Sequence, residues 1–428
     1  MLSSLHSIDY TKKQLKMSFY DVLARGDDAL DESPRRSRTW NFFSHITCNT
    51  VVGLSKIVLN TLYNVEVKGL ENLDQAMVAA RKENRGILTL MNHMSTCDDP
   101  FIWACLPWRY FKDLDDIRWG MAASNVCFTS KVTSRFFSMG KILSCERFGR
   151  GPFQPALDAC VRILSPDNTL DSEHIFHGLG PSTDLAASMA KNLKEERNPL
   201  SPEYKPPVLR KKTSLLHVFP EGFVCQLRPP FNNSMRFFRW GTARMILEPT
   251  VAPTIVPIFS DGFEKIKPEK VEESAFDFFT FYNQGGKVTV NIGKPLDAAI
   301  IDGFRDEWRK LCLKYTSLQD SNRMSDELKF GEEAKRLRSK VSGYLREQVS
   351  KLRLQNGFDK EDSRFSDVNW WVKYTDTKGK SDPSVKFVGL NWACRDYQSN
   401  VKIYDEKGNL LQERKDALCG PKAPRKSH

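Results

Sequence analysis

Residues 86–106 read GILTLMNHMSTCDDPFIWACL, and this stretch decides the fold. Residues 86–91 form an apolar run of the length that a buried strand has. A polar loop follows. Asp99 and Pro100 then favour the start of a helix through FIWACL, because aspartate suits the N-cap and proline suits the first helical position. The stretch therefore predicts a buried strand, a loop and a helix in succession.

Further short apolar runs recur along the chain and alternate with segments of helical pattern. They read LYNVEV at 62–67, KILSC at 141–145, LLHVF at 215–219, TIVPIF at 254–259 and VTVNI at 288–292. This alternation predicts an α/β fold, with a mostly parallel sheet flanked by helices. Pro257 within TIVPIF indicates an edge strand or a bulge near a site, because proline cannot donate to a sheet ladder.

Composition sets the scale of the domain and the kind of partner. The chain has 428 residues, 40% of them hydrophobic, which allows one α/β core of roughly 250 residues with added segments. We expect an N-terminal extension over 1–39, an amphipathic segment over 40–65, one domain over 66–355 with a polar insertion at 165–214, and a charged tail over 356–428. The net charge of +11 indicates a partner that carries phosphates, either nucleic acid or an anionic lipid surface.

The segment from Asn41 to Val65 carries a single full charge, at Lys56, between many large apolar side chains. A broad apolar helix face of this kind is typical of a helix that lies in a bilayer interface. Spanning the bilayer is the alternative, although Asn, Ser, Thr and His interrupt the segment. An ordinary amphipathic helix packed on the core fits the same pattern.

His93 and Asp98 lie where chemistry gathers in an open α/β sheet, just beyond a candidate buried strand. Residues five apart on a regular helix point about 140° away from each other, so His93 must belong to the loop. Asp98 can then accept from the imidazole Nδ1–H, which leaves Nε2 as a base for an alcohol. The alternative is a loop histidine beside two aspartates that only cap a helix.

Two later motifs also end candidate strands. GKILSCERFG, residues 140–149, presents Glu146 and Arg147, and an arginine at this edge can hold a phosphate by paired hydrogen bonds. LLHVFPEGF, residues 215–223, ends in a turn in which Glu221 could orient a substrate or a basic partner and Gly222 supplies backbone freedom. Each motif alone is also compatible with a solvated surface residue.

Residues 205–244 combine basic and aromatic side chains. They contain eight Lys or Arg residues and one acid, a local net charge of +7 counted as eight minus one. Such a segment suits an anionic lipid interface, where rings lie at the headgroup level. The candidates for this contact are Arg228, Arg236, Arg239, Trp240 and Arg244. A core strand and helix with solvated arginines is the alternative, and we predict no nucleic-acid partner because no recognisable module accompanies the segment.

Taken in order, the motifs NHMSTCDD, GKILSCERFG, FPEG and IVPIF resemble the four blocks of the glycerolipid acyltransferase superfamily, whose first block is H-x4-D. The resemblance implies that His93 is the base, that Asp98 orients it, and that Glu146, Arg147, Glu221 and Gly222 bind a phosphate-bearing substrate. The third block reads FPEGFVCQLRPP and lacks the arginine and hydroxyls usual in acyl-CoA-dependent members. NSMRFFRWGTARMILE and the opening MSFYDVLARGDD resemble the tafazzin branch of fungal type.

The tafazzin resemblance implies a CoA-independent phospholipid–lysophospholipid transacylase that uses no cofactor and no metal. It further implies remodelling of cardiolipin, with monolysocardiolipin as acceptor and a phosphatidylcholine-type donor. The expected location is peripheral on mitochondrial membranes, facing the intermembrane space. An acyl-CoA-dependent acyltransferase and a catalytically silent scaffold that binds anionic lipid remain the alternatives. An acyl-enzyme on Cys97 also stays open.

Overall fold

The computed structural model describes residues 18–147, 151–170, 175–176, 199, 201–269, 280–316, 323–374, 382, 384–388, 401–404 and 410–414. The strands are β1 Ser18–Phe19, β2 Asn64–Lys68, β3 Ile87–Met91, β4 Gly120–Ala123, β5 Ile142–Cys145, β6 Ile175–Phe176, β7 Leu215–Val218, β8 Thr254–Asp261, β9 Lys287–Ile292, β10 Val401–Tyr404 and β11 Leu410–Arg414. The helices are α1 Tyr20–Asp31, α2 Arg38–Leu62, α3 Leu70–Lys82, α4 Asp98–Ala104, α5 Ser124–Cys127, α6 Lys131–Met139, α7 Pro155–Leu164, α8 Trp240–Leu247, α9 Phe263–Ile266, α10 Ala298–Tyr315, α11 Asp326–Phe330, α12 Glu332–Gln355 and α13 Val368–Tyr374. Short 3-10 turns lie at Trp108–Phe111, Asp167–Thr169 and Ser363–Ser366.

The central sheet has the strand order β2-β9-β8-β3-β7. Strand β3 is buried at every residue and pairs in parallel with β7 on one side and β8 on the other. Strands β2 and β9 are also parallel, whereas β8 and β9 run antiparallel. Helices cover both faces and bury two large apolar clusters against the sheet. The predicted α/β fold with a mostly parallel sheet is confirmed, and every apolar run predicted as a strand forms one.

A parallel pair formed by β4 and β5 continues the sheet beyond β7. The connection is a backbone bridge, in which the Trp119 N–H donates to the Leu215 carbonyl at 2.7 Å and the His217 N–H donates to the Trp119 carbonyl at 2.8 Å. Strands β3, β5 and β7 therefore end at the same edge of the sheet. The segments that follow them carry His93, Arg147 and Glu221, so this edge holds the site.

Pro257 does not lie on an edge strand, so the edge-strand alternative is wrong. Strand β8 runs between β3 and β9, with Pro257 opposite Leu90 of β3. The antiparallel ladder with β9 begins only at Ile258, and the Pro257 carbonyl accepts from the Gly293 N–H at 2.8 Å. Proline is tolerated inside the sheet because its missing N–H lies just outside that ladder.

The predicted N-terminal extension is part of the domain from residue 18 onward. Helix α1 packs on α7, and its Leu23 is fully buried. A Cβ added at Gly26 would lie 2.6 Å from the Asp158 carbonyl oxygen, so only glycine permits this close approach of the two helices. Residues 1–17 lie outside the described part of the chain.

The two ends of the predicted insertion pack on the domain rather than standing away from it. Arg210 donates to the Ser165 carbonyl and to Asp167, both at 2.7 Å. Most of the insertion, residues 171–174, 177–198 and 200, lies outside the described residues. The first part of the predicted tail also packs, because Phe365 and Trp371 are buried in a small cluster with Phe223.

Candidate active site

The predicted pair of His93 and Asp98 is formed at the carboxyl end of β3. The His93 Nδ1 and the Asp98 Oδ2 are 2.9 Å apart. The same carboxylate oxygen accepts from the backbone N–H of Met94 at 2.6 Å and of Ser95 at 2.9 Å. These donors fix the carboxylate inside the loop, so the loop conformation and the imidazole orientation depend on one side chain.

The tautomer of His93 follows from this geometry. Because a carboxylate can only accept, Nδ1 must carry the proton, and Nε2 is the ring nitrogen available to a substrate. The Asp98 side chain is 0% exposed, and that of His93 is 21% exposed. Burial raises the pKa of the Asp98 carboxyl, and the hydrogen bond from His93 opposes that effect. A proton gained at Nε2 would give an imidazolium next to the buried carboxylate.

Aromatic side chains of β7 and the following turn hold the imidazole plane. The Phe219 ring stacks on His93, with centroids 4.3 Å apart, and meets His217 edge-on at 4.8 Å. Burial lowers the pKa of His217 to about 3, so His217 is neutral, and its Nδ1 lies 2.8 Å from the Thr89 hydroxyl. Neither ring is predicted from the sequence as part of the site. The only sequence signal is that His217 and Phe219 are two positions apart, the spacing that places side chains on one face of a strand.

Asp99 does not cap a helix, so that prediction is wrong. Helix α4 begins at Asp98, and Cys97 is its N-cap. Both Asp99 oxygens accept from the Arg118 guanidinium, with the Nε to Oδ1 distance at 2.9 Å. Arg118 also donates to the Gly140 carbonyl at 2.9 Å. The two adjacent aspartates therefore have separate roles, because Asp98 organises the loop and Asp99 ties α4 to the turn before β5.

Glu221 ties the loop of His93 to the segment before α8. Its Oε1 accepts from the His93 backbone N–H at 2.8 Å, and its Oε2 accepts from the Arg236 backbone N–H at 2.7 Å. The side chain is 0% exposed, and burial raises its pKa to about 8. The carboxylate therefore holds the backbone of these two segments together.

Gly222 has the conformation that the turn requires. Its φ is +77°, which disfavours any residue with a side chain. A Cβ at this position would lie 2.6 Å from the Arg239 Nε. The glycine therefore lets the Arg239 guanidinium lie against the turn, where its Nε is 3.4 Å from the Glu221 carbonyl oxygen.

Arginines gather around one phenylalanine ring at the side of the site. The guanidinium carbons of Arg147, Arg236 and Arg239 lie 5.2, 5.2 and 4.5 Å from the centroid of Phe223. Arg239 also donates to the Arg147 carbonyl at 3.2 Å. Glu146 lies next to them, with its backbone N–H donating to the Gln154 side chain at 2.8 Å. The cluster forms a positive wall suited to a phosphate.

Two of the arginines predicted to contact an anionic bilayer cannot do so. Arg244 is fully buried and pairs with Asp158 at 2.7 Å and Glu248 at 2.6 Å, so the prediction is wrong for this residue. Arg236 is 5% exposed, with its guanidinium against the rings of Phe223 and Phe237, so the prediction is wrong there as well. Arg228 is exposed, and its Nε lies 3.3 Å from the Phe387 carbonyl oxygen.

These groups line one cleft, which we call the main cavity, with a volume of about 1180 Å³. The polar part of its lining includes His93, Glu146, Arg147, Arg236, Arg239 and Trp240, and the apolar part includes Met121, Phe137, Val218, Phe219 and Met245. One wall lacked any signal at the sequence level. It is formed by α12, where Arg346 donates to the Met235 carbonyl at 2.7 Å and pairs with Glu361 at 3.0 Å.

Comparisons with known proteins identify relatives of this chain. A family model described as Acyltransferase matches residues 64–261. The chain is 48% identical to tafazzin of Saccharomyces cerevisiae over 89% of this chain and 96% of that protein. It is 29% identical to tafazzin of Drosophila melanogaster over 61% of this chain and 53% of that protein. The 1-acyl-sn-glycerophosphate acyltransferase PlsC from Thermotoga maritima matches with a TM-score of 0.33 and 15% identity, over 72% of this chain and 79% of that one.

Proposed function

The chain belongs to the tafazzin family of acyltransferases, and we propose that it transfers acyl chains between phospholipids and lysophospholipids without CoA. In this proposal the acceptor is monolysocardiolipin, the donor is a phosphatidylcholine-type lipid, and the product is remodelled cardiolipin. One observation carries the proposal: an imidazole, oriented by a buried carboxylate, opens onto a cavity with an apolar part and a positive wall.

His93 acts as the base for the acceptor. Its Nε2 takes the proton from the free hydroxyl of the lysophospholipid, and the oxygen attacks the acyl carbonyl carbon of the donor. The buried Asp98 carboxylate stabilises the imidazolium that forms. A positioned general base contributes about 10²–10⁴ in rate.

The second half of the reaction returns the proton. The tetrahedral intermediate collapses, the ester C–O bond of the donor breaks, and the imidazolium protonates the leaving lipid oxygen. One ester bond forms as another breaks, so the free-energy change is small and the transfer is reversible. This balance needs no CoA, metal or nucleotide.

The positive wall selects the substrate by its phosphate. Arg147 and Arg239 line the main cavity beside His93, and guanidinium groups bind phosphate oxygens in pairs. The acyl chains occupy the apolar part of the cavity, beside Met121 and Phe137. Glu221 contributes indirectly, because it holds the backbone of the His93 loop and of the arginine segment in register.

Helix α2 supports attachment to a bilayer. It is long and apolar enough to cross one by length and composition, yet only 28% of its most apolar window is buried. Phe42, Phe43, Ile46, Leu54 and Ile57 form an exposed stripe without charge. Lys56 points inward and donates to the Ala104 carbonyl at 2.6 Å.

We propose that α2 lies in the interface and does not span the membrane. Trp40, Cys48, Val52 and Leu59 are buried against the domain along its whole length. A helix packed in this way could cross a bilayer only if polar parts of the domain entered it, which is costly. The location that goes with this proposal is a mitochondrial membrane, on the side of the intermembrane space, and protease protection of isolated mitochondria tests it.

The donor assay tests the proposed reaction. Purified protein is given a lysophospholipid acceptor with either acyl-labelled phosphatidylcholine or labelled acyl-CoA. We expect label to move from phosphatidylcholine at full rate in the absence of CoA. His93→Ala should lose this transfer. His45→Ala is its control, because it also removes an imidazole, but from α2, where His45 hydrogen-bonds the Phe111 carbonyl outside the main cavity. Transfer only from acyl-CoA would overturn the CoA-independent reaction, and transfer from neither donor would favour a scaffold.

A further inference from the structure

A second concave site lies across β5 from the main cavity. We call it the N-terminal groove, and its volume is about 510 Å³, within the range of about 300–1,000 Å³ that ligand pockets have. The segment between α1 and α2 forms one side, and α6 with β5 forms the other. Its polar lining consists of Glu32, Ser33, Arg35, Ser134, Arg135, Ser138 and Ser144. None of these residues belongs to the site described above.

Arg35 is a buried cation with little to satisfy it. It is 5% exposed, its Nη1 donates to the Leu30 carbonyl, and its Nε has no hydrogen-bond partner among the described residues. Its guanidinium carbon lies 5.5 Å from the centroid of Trp119. Within the described part of the chain it forms no ion pair. Burial lowers its pKa to about 10, although the charges of Glu32 and Asp31 act in the opposite direction. An anion in the groove would compensate this charge.

A second arginine lies at the mouth of the groove. Arg135 is exposed, and its guanidinium carbon is 5.9 Å from the centroid of Trp40, which also lines the groove. No carboxylate pairs with it in the described ranges. Its neighbours on the same face of α6 are Val132, 79% exposed, and Phe136, 47% exposed. A cation between exposed apolar side chains is the arrangement expected at the headgroup level of a bilayer.

Val132 and Phe136 of α6 and the exposed stripe of α2 lie on neighbouring helices. The two helices pack together, and the Ser44 hydroxyl of α2 donates to the Met139 carbonyl of α6 at 2.5 Å. Under the interfacial placement proposed for α2, a bilayer at Phe42 and Phe43 would be next to α6, which forms one side of the groove. Its occupant would come from the lipid headgroups.

We propose that the N-terminal groove binds the phosphate of a bilayer phospholipid headgroup between Arg35 and Arg135, as an attachment site separate from the main cavity. The shared chemistry is a phosphate anion, and free phosphate is the other source. Charge complementarity favours an anionic lipid, although Glu32 is exposed at the rim and weakens the positive field. The acyl chains of the bound lipid stay in the bilayer.

Vesicle flotation tests the site without any turnover. The full chain is mixed with phosphatidylcholine vesicles that contain or lack phosphatidylglycerol. We expect Arg135→Gln to weaken binding to the anionic vesicles at least fivefold, because it loses both the charge effect of one basic residue at the surface and the bidentate contact. Arg135→Lys keeps the charge and loses only the bidentate contact, so it should bind more weakly than the wild type and more tightly than Arg135→Gln. Wild-type binding by the lysine variant would mean diffuse attraction and would overturn the site.

Three further measurements complete the test. Arg309→Gln on α10 removes the same charge elsewhere and should bind as wild type; an equal loss there would also overturn the site. Glu32→Gln should strengthen binding to the anionic vesicles. Partial unfolding could not produce a gain in binding, and unchanged or weaker binding counts against the site. Calorimetry with inorganic phosphate tests whether the bound phosphate is free phosphate or belongs to a lipid headgroup. Submillimolar binding of phosphate, together with vesicle binding that Arg135→Gln leaves unchanged, would overturn the lipid assignment.

Discussion

Replacing Asp98 with asparagine separates the charge of this residue from its position. An amide oxygen can still accept from the His93 Nδ1–H and from the two backbone N–H groups that the carboxylate holds. What is lost is the negative charge next to the imidazolium. The variant therefore measures how much the transfer rate depends on charge.

The size of the effect follows from the distance. Nδ1 and Oδ2 are 2.9 Å apart, and the two charge centres are then about 4 Å apart. At an effective dielectric constant of about 20 this gives about 4 kcal/mol. Since about 1.36 kcal/mol corresponds to a factor of ten, we expect the transfer rate to fall about 10³-fold. The KM for the lysophospholipid should change little, because the lost interaction belongs to the transition state.

The stability of Asp98→Asn should rise or stay the same, although its transfer rate falls. Burial raises the pKa of the Asp98 carboxyl, which means that the folded chain disfavours its charge. The neutral amide removes that cost, so the thermal unfolding midpoint of Asp98→Asn should equal or exceed that of the wild type. The assay is the initial rate of CoA-free transfer, corrected for the folded fraction.

The neighbouring aspartate provides the matched control. Asp99→Asn leaves the Arg118 guanidinium without its carboxylate, so it should lower stability by several kcal/mol, the opposite of the effect expected for Asp98→Asn. If Asp98→Asn retained a third or more of the wild-type rate, the proposed role of its charge would be refuted.

Other predictions concern stability and attachment. Arg244→Met should lower the free energy of unfolding in urea by about 3–5 kcal/mol, because two buried carboxylates lose their partner; a loss below about 1 kcal/mol would contradict this. Burial raises the pKa of Glu221 from 4.5 to about 8, so in the folded chain Glu221 keeps its proton to a higher pH than in the unfolded chain. Stability should then decline as the pH rises from 4.5 to 8, by at most about 1.4 kcal/mol per pH unit, and Glu221→Gln should flatten that slope in urea titrations at several pH values. The double variant Phe43→Asp and Ile57→Asp should reduce vesicle binding at least tenfold in flotation. Val78→Asp, at an equally exposed position of α3, should not reduce it. Equal losses would show that the α2 stripe has no special role.

The strands and the imidazole–carboxylate pair could be predicted from the sequence because their causes are local. An apolar run bounded by polar residues can be recognised without knowing its neighbours. The five-residue spacing from His93 to Asp98 excludes one helical face and leaves a loop that turns back. Strand β4 was missed, since Gly120–Ala123 reads GMAA and carries no β-branched or aromatic side chain.

The burial of the arginines could not be predicted because part of its cause is distant in sequence. Arg244 pairs with Glu248, four positions away, but also with Asp158, which is 86 positions away on α7. A local charge count therefore overestimates how many cations of the 205–244 segment reach the surface. The positioning role of Glu221 could not be predicted for the same reason, since its two N–H donors belong to residues 128 and 15 positions away.

Substitution of His93 by alanine tests the central claim most directly. The measurement is the movement of labelled acyl chains from phosphatidylcholine to monolysocardiolipin, in the absence of CoA, by equal amounts of folded protein. We predict that the variant transfers at least 10²-fold more slowly than the wild type while its binding to vesicles is unchanged. Transfer by the alanine variant at a rate close to that of the wild type would contradict the account.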